Sequence, residues 1–217
     1  MGFISAIASL LGGSPATSSV AKIPPISNGE EHNRYFTEGA DLIQPYLRLL
    51  GAPDRKAPSG KARHRLERGI DLLNAVVTYN PTNWSAYWLM GKAYQALDES
   101  QKAYDAFGKS YAIQKENPDV AREYMFECLE LGKVDEAVPI AEHALSLRPT
   151  DGGLHANLAI AYTLAGRIAD AQSAIDKALR IAPSDKISLG ISRRIQQIAD
   201  GKRPQPRNIR ELERANP

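Results

Sequence analysis

The sequence predicts an all-α fold, a solenoid of stacked antiparallel helix pairs ending in a capping helix, and three observations carry that prediction. First, one pattern recurs at a fixed period. Tyr87, Met90, Gly91, Tyr94, Ala103, Phe107 and Ser110 are matched by Ala121, Tyr124, Met125, Cys128, Ala137, Ala141 and Ala144, then by His155, Leu158, Ala159, Tyr162, Ala171, Ile175 and Ala178, each copy 34 residues after the last. Such a period marks units that bury their apolar faces only against their neighbours. Second, each copy divides at Asp98-Glu99, Gly132-Lys133 or Gly166-Arg167, giving two amphipathic stretches of about 13 to 15 residues joined by a tight turn. Third, the stretch after the last copy is amphipathic, with Ile187, Leu189, Ile191, Ile195 and Ile198 on one side and Arg193, Arg194, Gln196 and Gln197 on the other, as a solvating cap requires.

Taken in order, residues 1–31 form a flexible N-terminal segment. Within it Phe3, Ile7, Leu10 and Leu11 would give a short helix an apolar stripe. The run is about half of the roughly 20 residues a membrane span needs and lacks a basic leader. It reads as a frayed tail, a docked helix or a weak membrane-surface anchor. Residues 32–200 form the repeat domain. Its leading unit, residues 32–81, is degenerate: Tyr35, Gly39 and Leu42 have first-helix spacing, whereas Gly69, Leu73 and Val76 stand 34 before Ala103, Phe107 and Ser110. Pro45 removes a hydrogen bond in mid-helix, so a break is expected there. Regular units follow at 84–117, 118–151 and 152–185, with the cap at 186–199. Residues 201–217 read as a basic, proline-containing, disordered tail.

The net charge is only +2, which predicts no nucleic-acid partner. Its distribution is uneven: ten acidic residues face five basic ones between Gln95 and Glu136, and eight basic face three acidic from Lys186 to the end. These blocks read as solvated helix faces beside a loose tail, or as surfaces that steer segments of opposite charge. A single cysteine, Cys128, excludes an intramolecular disulfide and fits a reducing, cytoplasmic compartment, with peripheral membrane contact through residues 1–11 as a variant. Cys128 falls on a core position, so a buried thiol is expected.

No chemistry-bearing motif stands out. The four histidines, His32, His64, His143 and His155, show no metal-ligand spacing. Phosphate-loop, dinucleotide-loop and nucleophile-elbow patterns are missing. The paired acids Asp98-Glu99 and Asp135-Glu136 sit at helix starts, where they face the positive end of the dipole. The expectation is a protein that is not an enzyme and that takes no cofactor or metal.

The first copy, Tyr87-Trp88-Leu89-Met90-Gly91-Lys92-Ala93-Tyr94 followed by Ala103 and Phe107, resembles the tetratricopeptide repeat family. The third, with Leu158, Tyr162, Gly166, Ala171, Ala178 and Pro183, does so equally; the second departs at Ala121 and Cys128 but keeps Gly132, Ala137, Ala144 and Pro149. The resemblance implies a right-handed αα superhelix whose first helices line a concave groove for an extended or helical segment of another protein. It places Ser85, Trp88, Lys92 and Gln95 in that groove, with Asp119, Arg122, Phe126 and Leu129 beside them, and Ala156, Asn157, Ile160 and Thr163 beyond. Trp88 and Phe126 are the expected anchors, since buried aromatics dominate interface energies. The partner expected is thus another protein or a peptide segment. The alternative is a structural or assembly subunit that self-associates or docks at a membrane surface through residues 1–11.

Overall fold

The computed structural model describes residues 23–47 and 57–214. The apolar N-terminal stretch with Phe3, Ile7, Leu10 and Leu11 lies outside the described residues. Among the described residues ten helices follow one another: α1 Gly29–Ile43, α2 Lys61–Tyr79, α3 Trp84–Ala96, α4 Ser100–Ile113, α5 Pro118–Glu130, α6 Val134–Leu147, α7 Gly152–Leu164, α8 Ile168–Ile181, α9 Lys186–Ala199 and α10 Ile209–Glu213. Helix α1 stops before Pro45, in a single 3-10 turn over Gln44–Tyr46, as the missing amide of proline dictates.

The packing is that of a solenoid. Helices pair as α1 with α2, α3 with α4, α5 with α6 and α7 with α8. Each pair leans on the next through its second helix, and first helices touch one another as α1 with α3, α5 with α7 and α7 with α9. The contact of α1 with α3 gives the leading unit a place in the stack. Its two helices approach closely at glycine: a Cβ on Gly69 would stand 2.9 Å from Ile43 and one on Gly39 3.2 Å from the Gly69 carbonyl.

Polar ends hold this register. The side chains of Asn83, Asn117, Asp151 and Asp185 accept from backbone amides at the starts of α3, α5, α7 and α9. These four caps stand 34 residues apart, and each satisfies amides that the first turn leaves unpaired. By that register α9 is the first helix of a fourth unit as well as a cap. First helices end alike: Asp98, Gly132, Gly166 and Gly201 all have positive φ. The amides of Glu99, Lys133, Arg167 and Lys202 then bond back to the carbonyls of Tyr94, Cys128, Tyr162 and Gln197, the left-handed close that favours glycine.

Two apolar clusters share the interior. One joins α1, α2, α3 and α4 around Ile43, Leu66, Leu73, Val76 and Met90; the other runs from Phe107 through α5 to α9. Cys128 is fully buried in the second, and burial pushes its thiol up to about 12, so it remains protonated. His155 is also buried, its Nε2 lying 3.0 Å from the Pro149 carbonyl, and packs one unit on the preceding loop.

The chain beyond α9 departs from the disordered tail predicted for residues 201–217. It is ordered through Arg214, with Arg203 and Leu212 buried. The physical reason is a short capped helix held by hydrogen bonds within the segment. Asn208 accepts from the Glu211 amide at 2.9 Å, Glu211 accepts from the Arg207 amide at 2.9 Å, and Arg203 donates to the carbonyls of Glu211, Leu212 and Arg214.

Candidate functional site

The face made by α3, α5 and α7 carries a run of charge where a solvated surface was expected. Lys92 Nζ meets Glu123 Oε2 at 3.1 Å, with both side chains at most 7% exposed. One turn further, Gln95 Nε2 donates to Glu127 Oε1 at 2.6 Å. Burial pushes the Glu127 carboxyl up to about 7; Glu130 and Glu123 add to the rise, and Gln95 and Lys92 oppose it. The Lys92 ammonium also lies 5.8 Å from the centre of the Trp88 ring, within reach of a cation–π attraction.

At the N-terminal half of the same face, Arg122 bridges Asp119 at 3.0 Å and Glu123 at 3.3 Å, and Arg148 from the end of α6 reaches Asp119 at 2.6 Å. The Arg148 guanidinium holds the Asp119 carboxyl below the usual carboxylate range. The twelve residues expected in the groove thus divide. Ser85, Trp88, Gln95, Asp119, Arg122 and Asn157 keep part of their surface open, whereas Lys92, Phe126, Leu129, Ala156, Ile160 and Thr163 are buried.

The C-terminal segment closes the other half. From Gly201 it crosses the ends of the first helices in reverse order. Gln205 Nε2 donates to the Thr163 carbonyl at the end of α7 at 2.6 Å. The Arg207 carbonyl passes the turn after α5, 3.5 Å from where a Gly132 Cβ would be. Arg210 bonds Asp98 at 2.8 Å, beyond the end of α3, and also pairs with Glu130. Helix α10 then lies on α5 and α7, and Leu212, 4% exposed, joins the cluster that contains Phe126, Leu129, Ile160 and Leu164.

Glu123, Glu127, Arg148, Asp98, Glu130 and Arg210 were missed as members of this face. The uneven charge blocks were the available signal for the last three: the acidic stretch 95–136 and the basic stretch after 186 are the two the fold brings together. Among the described residues no group of three or more His, Cys, Asp and Glu could hold a metal ion, and no helix is long and apolar enough to cross a membrane.

Comparison with known proteins adds two family matches. A model described as YpiA-like, C-terminal tetratricopeptide repeats matches residues 85–151, and a second tetratricopeptide repeat model matches residues 128–189. No curated protein sequence matches. Among solved structures, MamA from residue 41 to its end, from Desulfovibrio magneticus RS-1, superposes with a TM-score of 0.65 at 16% identity, over 80% of this chain and 88% of that one. YrrB, described as a TPR protein with an unusual peptide-binding site, gives 0.56 at 18% identity, over 65% and 73% of the two chains. The first TPR of Spaghetti (RPAP3), bound to the HSP90 peptide SRMEEVD, gives 0.50 at 16% identity, over 54% and 93%. At these identities the likeness is one of fold.

Proposed function

Because this chain belongs to the tetratricopeptide repeat family, we propose that it is a protein-interaction module whose first-helix face binds an extended or short helical segment of a partner. The observation that carries this reading is that the face already accommodates such a segment. Residues 203–214 lie across three first helices, held by a side chain on a carbonyl, a cation on two carboxylates and a leucine in the apolar cluster. These are the three contact types by which grooves of this kind hold peptides. Two of the structural neighbours are described in terms of peptides, one by its binding site and one by its bound ligand.

The open half of the face supplies the remaining anchors. Trp88 offers a large ring braced by Lys92, and the Arg122–Asp119–Arg148 chain offers charge of both signs. The test is selection from a displayed peptide library with the full chain, followed by anisotropy titration of the selected peptides. Trp88→Ala and Arg122→Glu are each expected to weaken binding tenfold or more, a loss of at least about 1.4 kcal/mol. Peptides that bind both variants as tightly as the wild type would show that partners dock elsewhere.

A further inference from the structure

The geometry points to residues 203–214 as a tethered occupant of the binding face, and to a partner segment of the same chemistry: a short helix bearing an arginine and, two residues on, a leucine. This inference rests on the peptide-binding reading above and specifies both what competes for that face and what it prefers. Three observations support it.

The first is electrostatic. Asp98 and Glu130 belong to successive units, yet both converge on the one guanidinium of Arg210. The second is conformational. Asp98 sits where the next two units carry Gly132 and Gly166, and among the described residues it alone combines positive φ with a side chain, at φ 62. A left-handed backbone disfavours a side chain, and the carboxylate it presents there is the one that holds Arg210. The third is that the segment carries its own scaffold: the Asn208 cap, the Glu211 back-bond and the Arg203 clamp on the end of α10 all lie within residues 203–214.

A short tether holds a ligand at an effective concentration on the order of millimolar. A free segment with a dissociation constant of about 0.1 mM then binds roughly tenfold more weakly while the seat is filled. Binding is also salt-sensitive, because the attraction is a cation on two partly exposed acids.

The experiment uses a fluorescein-labelled synthetic peptide with the sequence of residues 203–214, titrated by anisotropy against three full-length proteins. These are the wild type, the variant Arg210→Ser with Leu212→Ser, and that variant carrying Asp98→Lys in addition. Far-UV circular dichroism of all three controls for folding. The unseated variant is expected to bind the peptide at least tenfold more tightly than the wild type, and Asp98→Lys is expected to abolish the gain. Equal binding by wild type and unseated variant overturns the tethered occupant. So does a gain that survives Asp98→Lys, since the peptide is then bound elsewhere. So does a wild-type dimer in sedimentation that the unseating changes dissolve, which would assign the segment to a second copy. If the library peptides lose affinity with Trp88→Ala while the labelled segment binds none of the three proteins, the groove reading stands and this inference fails.

Discussion

Replacing Glu127 by glutamine removes one buried charge and leaves its shape in place. In the folded chain burial raises the carboxyl from an ordinary 4.5 to about 7, with Glu123 and Glu130 on its own helix adding to the rise and Lys92 and Gln95 on α3 opposing it. The sign of the pH effect follows. Unfolded, the group loses its proton near 4.5; folded, it keeps it to about 7, so folding takes up a proton between those values and stability falls as pH rises through that window. The shift from 4.5 to about 7 corresponds to about 3 kcal/mol, at roughly 1.4 kcal/mol for each tenfold change in ionisation. Glutamine keeps the 2.6 Å acceptor for Gln95 and carries no charge. Glu127→Gln should therefore match the wild type near pH 4 and exceed it by about 1 to 3 kcal/mol near pH 8. The assay is urea unfolding followed by circular dichroism at several pH values. Reading it as a difference between the two proteins cancels Glu99, Asp119 and Asp185, whose carboxyls are held low by hydrogen bonds and act in the opposite direction. Parallel curves for variant and wild type across the window would refute the buried-carboxyl argument.

Gly91→Ala should cost about 1 to 3 kcal/mol in the same unfolding assay, because the added Cβ would lie 2.7 Å from the Phe107 ring; a neutral change would mean that α3 and α4 can move apart. Lys92→Met should cost about 1 to 3 kcal/mol by leaving Glu123 only its 3.3 Å bond to Arg122, and adding Glu123→Leu should recover most of it; strictly additive losses would show that the 3.1 Å pair is not coupled. Asp98→Gly relieves the left-handed side chain and leaves Arg210 with Glu130 as its one remaining acid. Stability should change by less than about 1 kcal/mol, while tryptic cleavage after Arg207 and Arg210 quickens severalfold; unchanged cleavage would remove Asp98 from the seat.

The register of the fold is legible in the sequence because it rests on local chemistry repeated at one spacing. Small residues at Gly91, Ala103, Ala137 and Ala171 are all buried, and the three predicted turns are three of the four left-handed first-helix ends. The face is less legible. A 34-residue period says which positions are equivalent, but it does not say which residue of one unit meets which of the next. Lys92 with Glu123 and Gln95 with Glu127 are offsets of 31 and 32, set by how the helices lean on one another. For the same reason Phe126, Leu129 and Ile160 read as groove-facing and are nonetheless buried. The tail was misjudged on composition. Its prolines and arginines suggested disorder, whereas Asn208 followed three residues later by Glu211, with Leu212 next, is the signature of a capped helix start.

Those prolines also explain why the tail takes the path it does. Helix α9 starts on the fourth cap of the series and closes at Gly201 as the earlier first helices close, so a second helix would follow in a regular array. Pro204 and Pro206 lack the amides such a helix needs and hold the residues before them extended. An extended run gains up to about 3.3 Å per residue instead of 1.5 Å, and that reach takes five residues from the end of α7 at Gln205 to the end of α3 at Arg210. Leu189 of α9, equivalent by register to the buried Ala121 and His155, is exposed where a second helix would cover it. The residues that would have formed that helix go instead to the face of the preceding units. The array is thus stopped and its first-helix face covered by one feature of the sequence, and shortening the run between Pro204 and Arg210 would undo the second effect without touching the first.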